Sequence, residues 1–306
     1  MAEIEKDVER ARTATGDELS ELIYHPAPQV LVALLDNPAF DEARISLLLA
    51  RKDLPAEIPQ EIATRKVLLK SYGIKKALVF HPRTPRLVGV RLLRDLYPMD
   101  LVQFALSPAV SAELKRYAEE QLVARLPQLP LGQKITLARR GPGRVAGALA
   151  SEGHAQVLPI ALDNPFLTEA QVLKSLAREK IPPVIVQAVA NHRKWSQSYN
   201  VRLAIVRNPS APLSIVLGFL PQLTVSDLRE LAAPGIVPEN LRKYLQAEIH
   251  RRMQASKRQA GELEAGRNDL LAQPQNDQCT REEEHRREGE RRPHRHGGPE
   301  KSHDEA

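Results

Sequence analysis

The chain has 306 residues of which 42% are hydrophobic, which excludes global disorder and allows either two ordinary cores or one elongated one. Aromatic residues make up only 4% and Cys279 is the one cysteine, so intramolecular disulfides and multi-cysteine metal sites are excluded, and helices packed by aliphatic side chains are favoured over a β-sandwich. The formal charge is +6, no run of about 18 apolar residues offers a membrane span, and Met1–Lys6 lacks the basic and apolar regions of a secretory signal, so a cytoplasmic location is expected.

In chain order, Leu22-Ile23-Tyr24-His25-Pro26 reads as the end of a short apolar helix broken at a proline, and Leu35-Asp36-Asn37-Pro38 repeats the pattern. Proline lacks an amide donor and disfavours helical geometry in the residue before it, so each helix should stop there. His25 and His81 stand where Asn stands in other breaks and read as turn residues rather than ligands or bases. Asp36 is expected to satisfy backbone donors at its turn. A longer helix is expected from Pro55 to about Tyr72, closing on Ser71-Tyr72. A third break follows at Leu78-Val79-Phe80-His81-Pro82, after which Thr84 is expected to N-cap a helix with Pro85 at its first position. From Ser111 to about Leu126, the residues Leu114, Tyr117, Ala118, Leu122 and Leu126 form one apolar stripe. No segment sustains strict alternation, so no strand is expected.

The remainder repeats this plan. When the chain is laid on itself without a gap so that Leu35-Asp36-Asn37-Pro38 falls on Leu162-Asp163-Asn164-Pro165, Ser71-Tyr72 falls on Ser198-Tyr199 and Asp100-Leu101 on Asp227-Leu228. In this copy register residues 29–125 hold 31 identities in 97 positions, about 32%, where unrelated sequence of ordinary composition gives roughly 6%. In the second copy, Thr168 with Gln171 three residues on makes a capping box. The chain therefore divides into two tandem copies, 1–127 and 128–254, and a polar tail over 255–306.

The stretch Tyr199-Asn200-Val201-Arg202-Leu203-Ala204-Ile205-Val206-Arg207-Asn208-Pro209-Ser210-Ala211-Pro212 resembles the repeat of bacterial leucine-rich-repeat-variant proteins, with its Val-Arg pair, Ala-containing helix and Asn-Pro break. More broadly the chain is similar to HEAT-like repeat proteins. The match covers about 15 residues at each of four or five places. It implies an all-α, right-handed α-solenoid built from the two copies, and it transfers no catalytic residue.

The tail offers almost nothing apolar between Gln273 and His296 and is expected to be disordered, apart from a helical extension to about Glu264. Its Arg281–His296 run reads as a solvated spacer, and His294 and His296 lack the rigid partners a metal site needs.

Charge is uneven along the chain. Residues 1–127 hold 18 Lys and Arg against 18 Asp and Glu, residues 128–254 hold 16 against 8, and the tail holds 10 against 12. The second copy thus carries the positive excess. Its candidate partner-binding clusters are Arg139, Arg140 and Arg144 around a Gly-Pro-Gly turn, Arg193 and Lys194 beside Trp195, and Arg242 with Lys243. Glycines permit close approach to a phosphate, and an indole beside cations can stack on a base. The bland readings are an inter-helix turn for the glycines and a packing role for Trp195, which stands at the position of Leu68. Tyr72 and Tyr199 read as packing residues shared by both copies.

No Ser/His/Asp order, HExxH, paired-carboxylate or Cys/His grouping is present, so neither a catalytic residue nor a cofactor, metal or small-molecule substrate is expected. The leading expectation is a non-enzymatic scaffold for a protein partner. Nucleic-acid binding through the basic second copy is the alternative. A remoter one, an enzyme on a helical-repeat frame such as the alkylated-base DNA glycosylases, finds no matching motif.

Overall fold

The computed structural model describes residues 2–178 and 181–271, and among them all regular structure is helical. In the first stretch come α1 (Ala2–Thr13), α2 (Asp17–Leu22), α3 (Pro28–Asp36), α4 (Glu42–Ala50), α5 (Glu57–Thr64), α6 (Tyr72–Phe80), α7 (Arg86–Leu93), α8 (Pro98–Leu106) and α9 (Ala112–Arg125). The series continues with α10 (Leu131–Arg140), α11 (Gly143–Glu152), α12 (Leu158–Leu162), α13 (Glu169–Leu176), α14 (Pro183–Asn191), α15 (Tyr199–Arg207), α16 (Leu213–Phe219), α17 (Val225–Leu231) and α18 (Glu239–Leu271). In the copy register the first residues of α4, α6, α7, α8 and α9 fall on the first residues of α13, α15, α16, α17 and α18.

The described residues up to Leu245 form one compact unit and those from Gln246 on a second. In the first unit α1 packs on α3 and α3 on α5, while α8, α10, α12 and α14 follow one another in the same next-but-one order. Likewise α7 packs on α9, α9 on α11, α11 on α13 and α13 on α15. Leu31, Leu48, Ile62, Leu78, Leu93, Leu122, Leu149, Val186 and Ile205 bury their side chains in a core that runs the length of these contacts. Burying each such side chain contributes about 1.5–3 kcal/mol.

The proline breaks do more than end helices. Before Pro38, Asn37 is extended at ψ 123, and its side-chain amide reaches back to donate to the carbonyls of Ala11 (2.8 Å) and Ala14 (2.9 Å) at the end of α1. Its Oδ1 accepts the Ala39 amide at 2.8 Å. Asn164 donates to Ala138 (2.7 Å) and Gly141 (3.0 Å) and accepts from Phe166 (2.8 Å), each partner standing 127 residues after its counterpart at Asn37. His81 Nε2 lies 2.8 Å from the carbonyl of Arg51, its Nδ1 accepts the Arg83 amide at 3.2 Å, and Asn208 donates to the carbonyl of Leu176 at 2.8 Å. These four residues are buried. Helix C-termini leave carbonyls without intrahelical donors, and each pre-proline side chain supplies one to the neighbouring pair.

Several local expectations are corrected. No helix runs from Pro55 to Tyr72: α5 ends at Thr64, Arg65 is extended at ψ 97, and a short 3-10 turn over Leu68–Lys70 precedes α6. The cause is tertiary, because Arg65 is drawn to the Leu35 carbonyl (2.6 Å) and the Asp36 carboxylate (2.8 Å). Ser71-Tyr72 therefore opens a helix, with Ser71 Oγ accepting the Ile74 amide at 3.2 Å, and Ser198 caps α15 in the same way. Thr84 is not an N-cap. Its hydroxyl donates back to the Leu78 carbonyl at 2.6 Å, and Pro85 occupies the N-cap position. Asp36 pairs with Arg65 and Asp163 with His192 (3.0 Å), while the turn amides go to the asparagines. The Thr168–Gln171 capping box forms, with the Thr168 amide donating to Gln171 Oε1 at 2.9 Å.

In the second unit, α18 continues past Glu264 to Leu271, further than expected. Ala255–Ala265 is rich in the helix formers Ala, Lys, Arg, Gln, Glu and Leu, whereas the extension itself contains Gly266, Asn268 and Asp269, which propensity does not explain. The rest of the expected disordered tail, 272–306, with Cys279 and the Arg281–His296 run, lies outside the described residues.

Candidate binding groove

A concavity of the first unit lies across α9, α11 and α13, with a volume of about 660 Å³. Its floor belongs to α11, and the Gly-Pro-Gly turn sets the height of that floor. A Cβ at Gly143 would stand 2.1 Å from the Phe166 carbonyl oxygen, and one at Gly141 would stand 2.5 Å from that of Leu137. Only glycine lets the start of α11 press against the Asn164 turn, so Gly141 to Gly143 are buried by packing. Further along, Ser151 Oγ donates to Ser175 Oγ at 2.8 Å and Ser175 is held by the Gln171 carbonyl at 3.0 Å, tying α11 to α13. Gly147, Ala148 and Ser151 are small, so nothing on α11 fills the space between its neighbours.

The rims are basic. From α9 come Lys115 and Arg116, from the start of α11 Arg144, and from α13 and its C-terminal end Lys174 and Arg178. Arg144 pairs with Glu120 at 3.1 Å, and Arg178 donates to the Ser151 carbonyl at 3.3 Å. The side chains of Lys115, Arg116 and Lys174 make no hydrogen bond or ion pair with any described residue. Glu119 is the acidic side chain of the lining. Burial raises its carboxyl above the ordinary carboxylate value, with Glu120 adding to the rise while Arg144 and Lys115 oppose it.

Of the basic residues singled out in the sequence, Arg144 alone lines this groove. Arg139 and Arg140 are exposed at the end of α10, and Arg193 and Lys194 are exposed in the turn after α14. In α18, Arg242 faces Glu239 at 3.5 Å and Lys243 is exposed. These clusters sit on separate elements and share no lining with the groove. Trp195 is not available for stacking: 3% of its surface is exposed, its indole N–H donates to the Leu162 carbonyl at 2.9 Å, and Lys194 Nζ covers its ring at 4.1 Å. Tyr72 and Tyr199 hold Asp100 and Asp227 through their hydroxyls, and each accepts an amide at 3.0 Å, from Tyr97 and Thr224. They brace one helix against the next.

Sequence reasoning missed Lys115, Arg116, Lys174 and Arg178 because the two pairs lie about 60 residues apart in the chain and meet only when α9 and α13 flank α11. One signal was present in the copy register, where Lys174 replaces the apolar Leu47. Among the described residues no three His, Cys, Asp or Glu side chains converge as metal ligands, and no helix is long and apolar enough to cross a membrane. Compared with protein-family models, with curated proteins and with solved structures, the chain matches none, so its likeness to leucine-rich-repeat-variant and HEAT-like repeats rests on the residue pattern and on the helices that pattern forms.

Proposed function

We propose that residues 1–254 are two tandem copies stacked as a right-handed α-solenoid, and that this solenoid is a non-enzymatic scaffold whose α9–α11–α13 groove receives a segment of a protein partner. The duplication is supported by the copy register of the sequence and by the matching latches at Asn37 and Asn164. The observation that carries the binding reading is the groove itself. It is an open trough with a low floor of small residues and cations on both rims, and such grooves suit elongated segments docked through side-chain anchors.

The test fills the trough. Full-length protein and Ala148→Trp serve as bait in parallel pull-downs, with thermal melts showing that both are folded. The same partner should be recovered by the wild type and lost with the variant. Recovery of identical proteins by both baits, or of none by either, overturns the reading.

Nucleic-acid binding is favoured by a different observation, the 16 basic against 8 acidic residues of 128–254. Phosphate contacts would make affinity fall steeply with salt, so a gel-shift titration without binding at low salt removes this alternative.

A further inference from the structure

The charge of the groove is absent from the corresponding positions of the first copy, and from that difference we infer that the groove takes an acidic peptide segment bearing aliphatic side chains. The inference rests on the reading of the groove as a protein-binding site and specifies what binds there.

In the copy register Arg144 falls on Asp17, Ala148 on Glu21, Gln171 on Arg44 and Lys174 on Leu47, while Arg178 falls on Arg51. The earlier positions therefore balance two acids with two bases. The later ones hold three bases and no acid. Beyond the lining the balance does not change, since Lys52-Asp53 falls on Glu179-Lys180. A cation that merely solvates a helix face needs no such change in the lining. Here both acids are lost from α11, which lies under the trough, and on α9 Lys115 and Arg116 outnumber Glu119.

The lining also separates carboxylates from phosphates on a nucleic acid. Single-stranded nucleic acids are held by cations interleaved with aromatic platforms on which bases stack. No aromatic side chain lines this groove, and the tryptophan of the chain is buried elsewhere. What lies between the cations is Ala112, Val123, Gly147 and Ala148, a surface for methyl and isobutyl groups. Aliphatic side chains on one face and carboxylates at the edges match floor and rims together. Exposed charge pairs are individually weak, so the rims should act mainly through their sum and through the rate of encounter.

The experiment is fluorescence anisotropy on the full-length protein with four labelled probes. These are a repeating Leu/Ala/Glu peptide, its Gln-for-Glu and Lys-for-Glu counterparts, and single-stranded oligothymidylate. The Glu peptide should bind, more tightly as salt is lowered, and the Lys peptide should not. The double variant Lys174→Glu with Arg178→Glu should weaken the Glu peptide by about tenfold, and Ala148→Trp should abolish binding. Absence of binding by the Glu peptide, or indifference to the double charge reversal, overturns the inference. If the Gln peptide binds as well as the Glu peptide and Ala148→Trp blocks both, the acidic specificity fails while the groove reading stands. If Ala148→Trp leaves the Glu peptide bound, the groove reading fails as well. Oligothymidylate binding that both variants abolish replaces the peptide with nucleic acid.

Discussion

The indole of Trp195 donates to the carbonyl of Leu162 at 2.9 Å, and the equivalent carbonyl of the first copy, that of Leu35, is held instead by Arg65 at 2.6 Å. The same backbone group is served from two different positions, because Trp195 stands where Leu68 does and His192 where Arg65 does. His192 keeps the other half of the arrangement by pairing with Asp163, as Arg65 pairs with Asp36. The two carbonyls, equivalent in the copy register, thus each have a side-chain donor, supplied by different residues.

This exchange can be reversed. Trp195→Phe removes the donor while keeping an aromatic ring and should cost about 1–3 kcal/mol in urea unfolding. Trp195→Leu combined with His192→Arg rebuilds the Leu68–Arg65 arrangement and should be about 1 kcal/mol more stable than Trp195→Leu alone. Circular dichroism must report the unfolding, since the variants lack the fluorophore. A double variant no better than the single would show that the Leu162 carbonyl gains nothing from the donor.

The pre-proline latches give a second prediction. Asn164 is almost fully buried and makes three hydrogen bonds, two of them to the end of α10. Asn164→Ala strands those carbonyls and should cost about 3 kcal/mol. His81→Asn should stay within about 1 kcal/mol of wild type, because Asn208, at the same register position, finds a helix-end carbonyl two residues earlier, that of Leu176. Denaturant midpoints check both. An Asn164→Ala protein of unchanged midpoint would mean that the latch does not couple the helix pairs.

These latches also mark how far the sequence could be read. The Asn-Pro and His-Pro breaks and the copy register were visible because proline acts locally, through its missing amide and its effect on the preceding residue. That Asn37 reaches 26 residues back to Ala11 was not visible, since nothing local specifies the acceptor. The break at Arg65 was missed for the same reason: Thr64-Arg65-Lys66 contains no helix breaker, and the turn exists because Leu35 and Asp36 lie within reach. The groove was hidden more deeply. Arg139, Arg140, Arg193 and Lys194 are conspicuous because they are adjacent in sequence, yet adjacency places side chains on different faces of a helix or in an exposed turn. Lys115 and Arg116 line the same groove as Lys174 and Arg178 although nearly 60 residues separate the two pairs.

Glycine substitutions should separate packing from propensity. Gly143→Ala drives a methyl group to within 2.1 Å of the Phe166 carbonyl oxygen, which belongs to backbone and cannot rotate away. A loss of about 2 kcal/mol is expected, with α11 displaced from the Asn164 turn. Gly218→Ala meets nothing within 4 Å and lies inside α16, so it should stabilise by about 0.5–1 kcal/mol. Thermal melts of the two variants should move in opposite directions. Equal shifts would mean that the tight approach at Gly143 is relieved at no cost.

The Tyr72–Asp100 pair should shape the dependence of stability on pH. Burial first, and then the Asp100 carboxylate, push the Tyr72 phenol up to about 12, against a smaller downward pull from the Tyr97 amide. Burial opposes ionisation of Asp100, yet hydrogen bonds from Lys76 and Tyr72 and the charge of Lys76 hold its carboxyl below the ordinary value. The signs follow from linkage. A depressed carboxyl stabilises the fold above the unfolded carboxylate range, and that contribution is lost as pH falls through the lowered folded value. A raised phenol stabilises the fold below about 10, the unfolded tyrosine value, and that contribution is lost as pH climbs toward about 12. Tyr72→Phe should therefore cost about 1 kcal/mol near neutrality and lose less stability than wild type on the alkaline side. Asp100→Asn should instead flatten the acid side and let Tyr72 titrate lower. Urea midpoints across the pH range, taken as differences from wild type so that other titrating groups cancel, provide the measurement. A Tyr72→Phe difference that stays constant from neutral to alkaline pH would show that the phenol does not sense its carboxylate.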